Sequence, residues 1–293
     1  MGILYLLVTY FLFAVLPIGI KILLKDNSID AYTLAFFRFF FGTLSLLAIQ
    51  YYRKNRISMY LNSWWVLIGG IGLGLDFILF NIGLKYTTAT ATSLLANATH
   101  MIAMGMFGWL FLKENFGFIR IIGFTATLVG MVFVTLGGQD LRSVFVSEYF
   151  MGNMIIVFAG VIWTLYGVAQ KMVCKKARTI EIIIPVFIVG TVLTGLSAVP
   201  KFGNLKPMNP AQLVAVIIVC IVCTGLSYAF FAKALQTVDM VVAGVIGSLT
   251  PVFTVVMAFF FLNETLTASI VIGMIMVLSG TLLLVSQEKP SAC

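Results

Sequence analysis

Three side chains carry ionic or titratable chemistry inside otherwise apolar segments: Asp76 within WWVLIGGIGLGLDFILFNIGL, Arg38 within AYTLAFFRFFFGTLSLL, and His100 within SLLANATHMIAMGMF. An ionised group at a bilayer centre costs roughly 2.5–3.5 kcal/mol on insertion scales, so each needs a partner or a function. Asp76 shares a helical face with Gly69, Gly72, Phe80 and Gly83. It suits proton coupling or an amine counter-ion, and equally a helix–helix hydrogen bond or an ion pair with Arg38. Arg38, with Gly42 and Ser45 on its face, reads first as a structural partner of Asp76 or of helix-end carbonyls, and second as a substrate contact. His100 is the only histidine; Ser93, Asn97 and His100 form a polar stripe expected to line a cavity, and an ordinary imidazole pKa near ~6.5 permits proton sensing.

The second half adds aromatic groups. Trp163 shares one side of a helix with Gly160, Gly167 and Gln170, with Tyr166 adjacent, and Tyr228 lies near Ser227 and Phe231. Mid-span indole and phenol groups need hydrogen-bond partners, and aromatic faces beside Asp76 would suit a cationic or aromatic metabolite. The candidate substrate wall is therefore Asp76, Phe80, Ser93, Asn97, His100, Trp163, Tyr166, Tyr228 and Thr250, with Asp76, Arg38 and His100 as the charge or coupling set. No catalytic group, metal site or cofactor is expected. An intramembrane enzyme would need a nucleophile with its base or a metal cluster, and one histidine without a local Asp/Glu/Cys set supplies neither. Cys220 and Cys223 have CxxC spacing but lie in a long apolar run, where the spacing puts two small thiols on one helical face for packing.

The elements that position these residues follow from composition. Of 293 residues, 61% are hydrophobic and 10% charged, against roughly 45–50% and 25% in soluble domains. Apolar runs predict ten helices near 3–24, 31–52, 64–84, 88–112, 118–137, 150–171, 180–199, 212–234, 238–262 and 266–286. Long continuous runs disfavour a β-barrel, which alternates. The segment MGILYLLVTYFLFAVLPIGIK lacks a basic residue before its apolar run and an A-x-A-like cleavage site, so it reads as a first span rather than a signal peptide.

Net charge is +8. With the N-terminus inside, the inner connections and tail carry eleven basic residues (Arg53, Lys54, Arg56, Lys113, Arg120, Lys171, Lys175, Lys176, Arg178, Lys233 and Lys289). The outer side carries six (Lys21, Lys25, Lys85, Arg142, Lys201 and Lys206). This asymmetry predicts both termini cytoplasmic in a plasma (inner) membrane protein. The basic residues are dispersed over short loops, which argues against nucleic acid as a partner.

The chain also matches itself at an offset of about 150 residues. FLKENFGFIRIIGFTATLVGM (111–131) lies over FLNETLTASIVIGMIMVLSGT (261–281), matching Glu114 with Glu264, Gly123 with Gly273 and Gly130 with Gly280. Gly2 meets Gly152, Phe13 meets Trp163 and Lys21 meets Lys171. Each unit has five helices, an odd number, so the second copy enters the membrane with opposite orientation. The expected fold is an all-α polytopic membrane protein of ten transmembrane helices in two inverted five-helix repeats, 1–138 and 149–286. Lys21 and Lys171 are expected at opposite interfaces, and Glu114 and Glu264 as helix caps. Inverted repeats recur in secondary transporters.

With these elements the sequence resembles the drug/metabolite transporter superfamily, specifically its EamA-type ten-helix members. The resemblance rests on the Phe13–Lys21 and Trp163–Lys171 helix ends, FFRFFFG around Arg38, SLTPVFTVVMAFFFLNE ending at Glu264, and the helix with Gly273 and Gly280. It implies alternating-access transport of a small organic solute, often outward, through a cavity between the halves. Thr99-His100-Met101 stands where the second half has Leu249-Thr250-Pro251, which places His100 near the family's cavity wall, and no arginine answers Arg38 in the second half. The expected partners are a small-molecule substrate such as an amino acid, an amine or a related amphiphile, the lipid bilayer, and protons as coupling ions. Oligomeric state has no signal in the sequence. An intramembrane enzyme and a channel are the alternatives, the channel weakened by the lack of a charge ring or filter-like repeat.

Overall fold

The computed structural model describes residues 1–25, 29–52, 59–60, 63–87, 89–112, 117–136, 147–174, 176–262 and 267–286. Among these residues the regular structure is helical: α1 Gly2–Lys25, α2 Ala31–Tyr52, α3 Trp64–Lys85, α4 Ala89–Leu112, α5 Phe118–Leu136, α6 Ser147–Val173 and α7 Thr179–Ala198 come first. They are followed by α8 Pro210–Ile217, a π-helical stretch Ile218–Leu226, α9 Ser227–Ala234, α10 Met240–Gly247, α11 Leu249–Leu262 and α12 Ala268–Ser286. Seven of the described helical runs are long and apolar enough to cross a membrane, and Phe118–Val134 and Met240–Thr254 are shorter apolar helices. The molecule is a multi-pass membrane protein. Glu114 and Glu264, expected as caps, lie outside the described residues.

Helix starts follow local chemistry. The Asp30 carboxylate accepts from the backbone N–H groups of Tyr32 (2.9 Å) and Thr33 (3.2 Å) to open α2. At α8, Asn209 and Gln212 form a reciprocal capping box around Pro210 at the first helical position. The helix expected over 238–262 is instead interrupted at Ser248. Pro251 lacks the N–H that would bond the Gly247 carbonyl, and the Thr250 hydroxyl donates to that carbonyl at 2.7 Å. The run expected over 212–234 is continuous from Pro210 to Ala234 but contains the π-helical segment, for which hydropathy gives no signal.

Small residues set how closely the helices approach. A Cβ added at Gly69 would meet the Ala169 side chain at 2.9 Å, and one at Gly83 would meet Ile156 at 2.7 Å, so α3 lies against α6. Gly70 and Gly74 put the same helix against Val189 and Leu193 of α7. Helices α5 and α12 cross antiparallel and backbone to backbone: a Cβ at Gly123 would lie 2.9 Å from the Gly280 carbonyl, and one at Gly130 would lie 2.8 Å from that of Gly273.

These contacts recur with the halves exchanged. Moving one partner forward by 150 residues and the other back converts Gly123–Gly280 into Gly273–Gly130, Gly19–Val219 into Ala169–Gly69, and Gly2–Thr237 into Gly152–Thr87; all six contacts are present.

Candidate functional site

The site forms where helices of both sequence halves leave space between them. Phe13, Leu16 and Pro17 of α1, Arg38 of α2, Asp76 and Phe80 of α3, and Thr92, Ala96, Asn97 and His100 of α4 line one cavity with Trp163 of α6, Tyr228 of α9 and Thr250 of α11. Leu16, Pro17 and the α3 residues lie in the second halves of their helices, the α2 and α4 residues in the first halves, and Phe13 at the middle of α1. Most of these residues therefore lie toward the end of the bundle where α1 passes to α2 and α3 to α4, whereas Trp163 and Tyr228 reach the cavity from the other side of its middle. The opposite direction is closed by side chains that are nearly or fully buried. Tyr10 packs edge-on to Phe231 at 6.2 Å between ring centroids, and Phe231 also packs on Trp163 (5.0 Å) and Tyr166 (6.0 Å).

The wall is aromatic and internally fastened. The Trp163 indole N–H donates to the Tyr228 hydroxyl at 2.8 Å, and the His100 ring stacks on Trp163 with centroids 4.3 Å apart and planes inclined by 26°. Gly160 makes room for this face: a Cβ there would lie 3.0 Å from Thr99 and 3.2 Å from His100. The His100 Nε2 is buried and makes no hydrogen bond.

Asp76 is 4% exposed, and its Oδ1 is buried without a hydrogen-bond partner. The direct ion pair with Arg38 that the sequence permits is not made. The Arg38 guanidinium instead lies over the Phe77 ring, 3.7 Å from its centroid, and donates from Nε to the Thr224 hydroxyl at 3.2 Å and from Nη1 to the Asn81 side-chain Oδ1 at 3.4 Å. The ion pairs among the described residues lie elsewhere, Arg120–Asp239 and Arg178–Glu181. The reason is local: the Phe77 ring and Asn81, on the helix that carries Asp76, engage the guanidinium first.

Of the residues singled out in the sequence, Asp76, Phe80, Asn97, His100, Trp163, Tyr228, Thr250 and Arg38 meet at this cavity. Tyr166 does not line it; its hydroxyl accepts from Gln170 Nε2 at 3.4 Å and its ring packs on Tyr228. The Ser93 side chain lies outside the described residues. Phe13, Leu16, Pro17, Thr92 and Ala96 complete the wall without having been singled out as cavity residues. Phe13 had a signal, its match to Trp163 across the repeat, and Thr92 adjoins the Ser93 stripe; the other three are indistinguishable by type from packing residues. Phe13 and Trp163 pack edge-on at 6.4 Å, and the equivalent positions His100 and Thr250 both reach the cavity.

A central cavity with an aromatic wall and two ionic side chains inside a helical membrane bundle suits the binding of a small solute. Comparison with known proteins agrees: the model of the EamA-like transporter family matches residues 1–136 and again residues 150–286. The chain belongs to the EamA-like transporter family. The family sits within the drug/metabolite transporter superfamily. An "Uncharacterized transporter" of Haemophilus influenzae is 28% identical over 264 residues, spanning 87% of this chain and 82% of the relative. A protein of the same description from Archaeoglobus fulgidus is 27% identical and spans 92% of each chain. The "Uncharacterized inner membrane transporter YhbE" of Escherichia coli is 27% identical over 86% of this EamA-family chain and 78% of its own length. One solved crystal structure shares the fold at a TM-score of 0.78, with 17% identity, covering 97% of this chain and 96% of that one.

Proposed function

We propose that this EamA-family protein is a secondary transporter that moves a small organic metabolite, an amino acid, amine or related amphiphile, across the inner membrane by alternating access. The carrying observation is the cavity itself: it is built by both halves of the chain, has most of its wall toward one end of the bundle, has the buried Tyr10–Phe231–Tyr166 layer toward the other, and holds Asp76, whose Oδ1 is without a partner. The reading takes residues 1–138 and 149–286 as two five-helix units of opposite orientation, ten spans in all, with both termini cytoplasmic. The contacts that recur when the halves are exchanged support it, and so does the double family match. Two such units can trade conformations, closing one end as the other opens. On this topology the cavity lies toward the outer side. Asp76 is the coupling or amine-binding carboxylate and His100 a second proton-responsive group. The family and the relatives' descriptions as transporters favour carriage over enzyme chemistry.

The test is counterflow in vesicles reconstituted with purified protein. Preloaded solute should accelerate uptake of its labelled form, saturably, which separates a carrier from a channel. Absence of protein-dependent flux across a broad panel of amino acids, amines and related metabolites would overturn the reading. Asp76→Asn with undiminished flux at every imposed pH gradient would remove proton coupling through Asp76.

A further inference from the structure

Arg38 is 1% exposed, lies within a membrane-spanning helix and contacts no carboxylate among the described residues, yet it lines the cavity. Its guanidinium has five N–H donors in a fixed fork. Two are used, Nε to Thr224 and Nη1 to Asn81, while Nη2 makes no hydrogen bond among the described residues. Each acceptor is oriented by a bond of its own. The Thr224 hydroxyl donates to the Val219 carbonyl at 2.7 Å, which turns a lone pair toward Arg38. The Asn81 amide nitrogen donates to the Ala31 carbonyl at 3.0 Å, which turns its oxygen the same way. Val219 and Thr224 are five residues apart within the π-helical stretch Ile218–Leu226, and such widened turns are frequent at functional sites. The Phe77 face beneath completes a cradle that fixes the plane of the guanidinium without neutralising it.

We propose that Arg38 is the receptor for an oxyanion group, carboxylate or phosphate, on the transported solute, with Thr224 and Asn81 as positioning residues that aim its free edge into the cavity. An arginine retained only for structure in this setting would have its charge met by an acid or by helix-end carbonyls. Here the contacts are two neutral acceptors and an aromatic face, and Asp76, in the same cavity, stays outside ion-pair distance. A planar guanidinium matches carboxylate and phosphate geometry, and in a low-dielectric cavity the solute's anion supplies the missing partner. The second half places no arginine at the equivalent position, so this receptor belongs to one side of the site. The inference rests on reading the cavity as a transport site.

The test exposes purified wild-type protein and the variants Arg38→Gln, Arg38→Lys, Thr224→Val and Thr224→Ser to one bacterial polar-metabolite extract. Retained compounds are identified by mass spectrometry and their affinities measured individually. Wild type should retain compounds bearing a carboxylate or a phosphate, and which of the two predominates identifies the source of the oxyanion. Arg38→Gln should weaken them at least tenfold, and Arg38→Lys should recover only part, because a point charge lacks the fork. Thr224→Val should weaken them about three- to tenfold, as loss of one orienting hydrogen bond implies, and Thr224→Ser, which keeps the hydroxyl, should restore them. Retention of compounds with no oxyanion, or equal affinities in wild type and in monodisperse Arg38→Gln, would overturn the inference while leaving transport standing. If Arg38→Gln does not fold, unchanged affinity in Thr224→Val has the same force for the positioning roles, and Arg38→Lys at full affinity for the fork. Retention of nothing by wild type, with no protein-dependent flux, would overturn both.

Discussion

The His100 imidazole lies against the Trp163 indole at 4.3 Å, and the indole N–H is committed to the Tyr228 hydroxyl, so three helices from the two halves of the chain meet through one stacked and hydrogen-bonded group. Trp163→Phe should keep the packing and lose the hydrogen bond, costing about 0.5–1.5 kcal/mol, whereas Trp163→Ala should cost about 3–5 kcal/mol and abolish flux. Thermal unfolding in detergent read beside vesicle counterflow checks both. Equal stability of the two variants would contradict the arrangement.

Asp76 separates stability from function. Its Oδ1 has no hydrogen bond to lose, so Asp76→Asn should unfold at or above the wild-type temperature. Flux driven by a pH gradient should fall to background if Asp76 carries the coupling proton. A marked loss of thermal stability would instead show that the carboxylate serves packing.

Helices α5 and α12 cross at two glycine pairs, where an added Cβ meets backbone that cannot yield. Gly130→Ala and Gly273→Ala should each cost about 1–3 kcal/mol, with similar size because they sit in the same kind of contact. Gly117→Ala, whose Cβ would meet nothing within 4 Å, is the control. Unfolding midpoints in one detergent decide the comparison.

The Arg120–Asp239 pair at 3.2 Å joins the start of α5 to the start of α10, at the end of the bundle away from the cavity. Its members answer Ile270 and Ala89 in the other half, so this tie has no ionic counterpart there. Asp239→Asn should cost about 1.5–3 kcal/mol, and the double-mutant cycle with Arg120→Gln should return a coupling of similar sign. Cysteine labelling from the Asp239 side should rise in the single variant if this tie holds that end closed; unchanged labelling would remove it from the gating machinery.

Much of the site was legible because an aspartate, an arginine or a histidine inside an apolar span is conspicuous, and the offset of 150 residues adds Phe13 opposite Trp163 and Thr250 opposite His100. Helical spacing placed Tyr166 on the wall beside Trp163, but the rotation of α6 against its neighbours turned the Tyr166 ring onto Tyr228 and Phe231. Leu16, Pro17 and Ala96 were illegible as wall residues, since nothing in an apolar residue's type says whether it faces lipid, a neighbour or a cavity.

The sequence by itself determined the membrane class, the helical character of the long apolar runs and the match between the two halves, because hydropathy, chain length and the spacing of small residues act locally and add along the chain. Only the tertiary structure decided that Arg38 turns to Thr224, 186 residues away, and to Asn81 rather than to Asp76. That choice depends on how α2, α3 and the π-helical stretch are rotated against one another, and a few tens of degrees of rotation about each axis, invisible to hydropathy, exchange one partner for another.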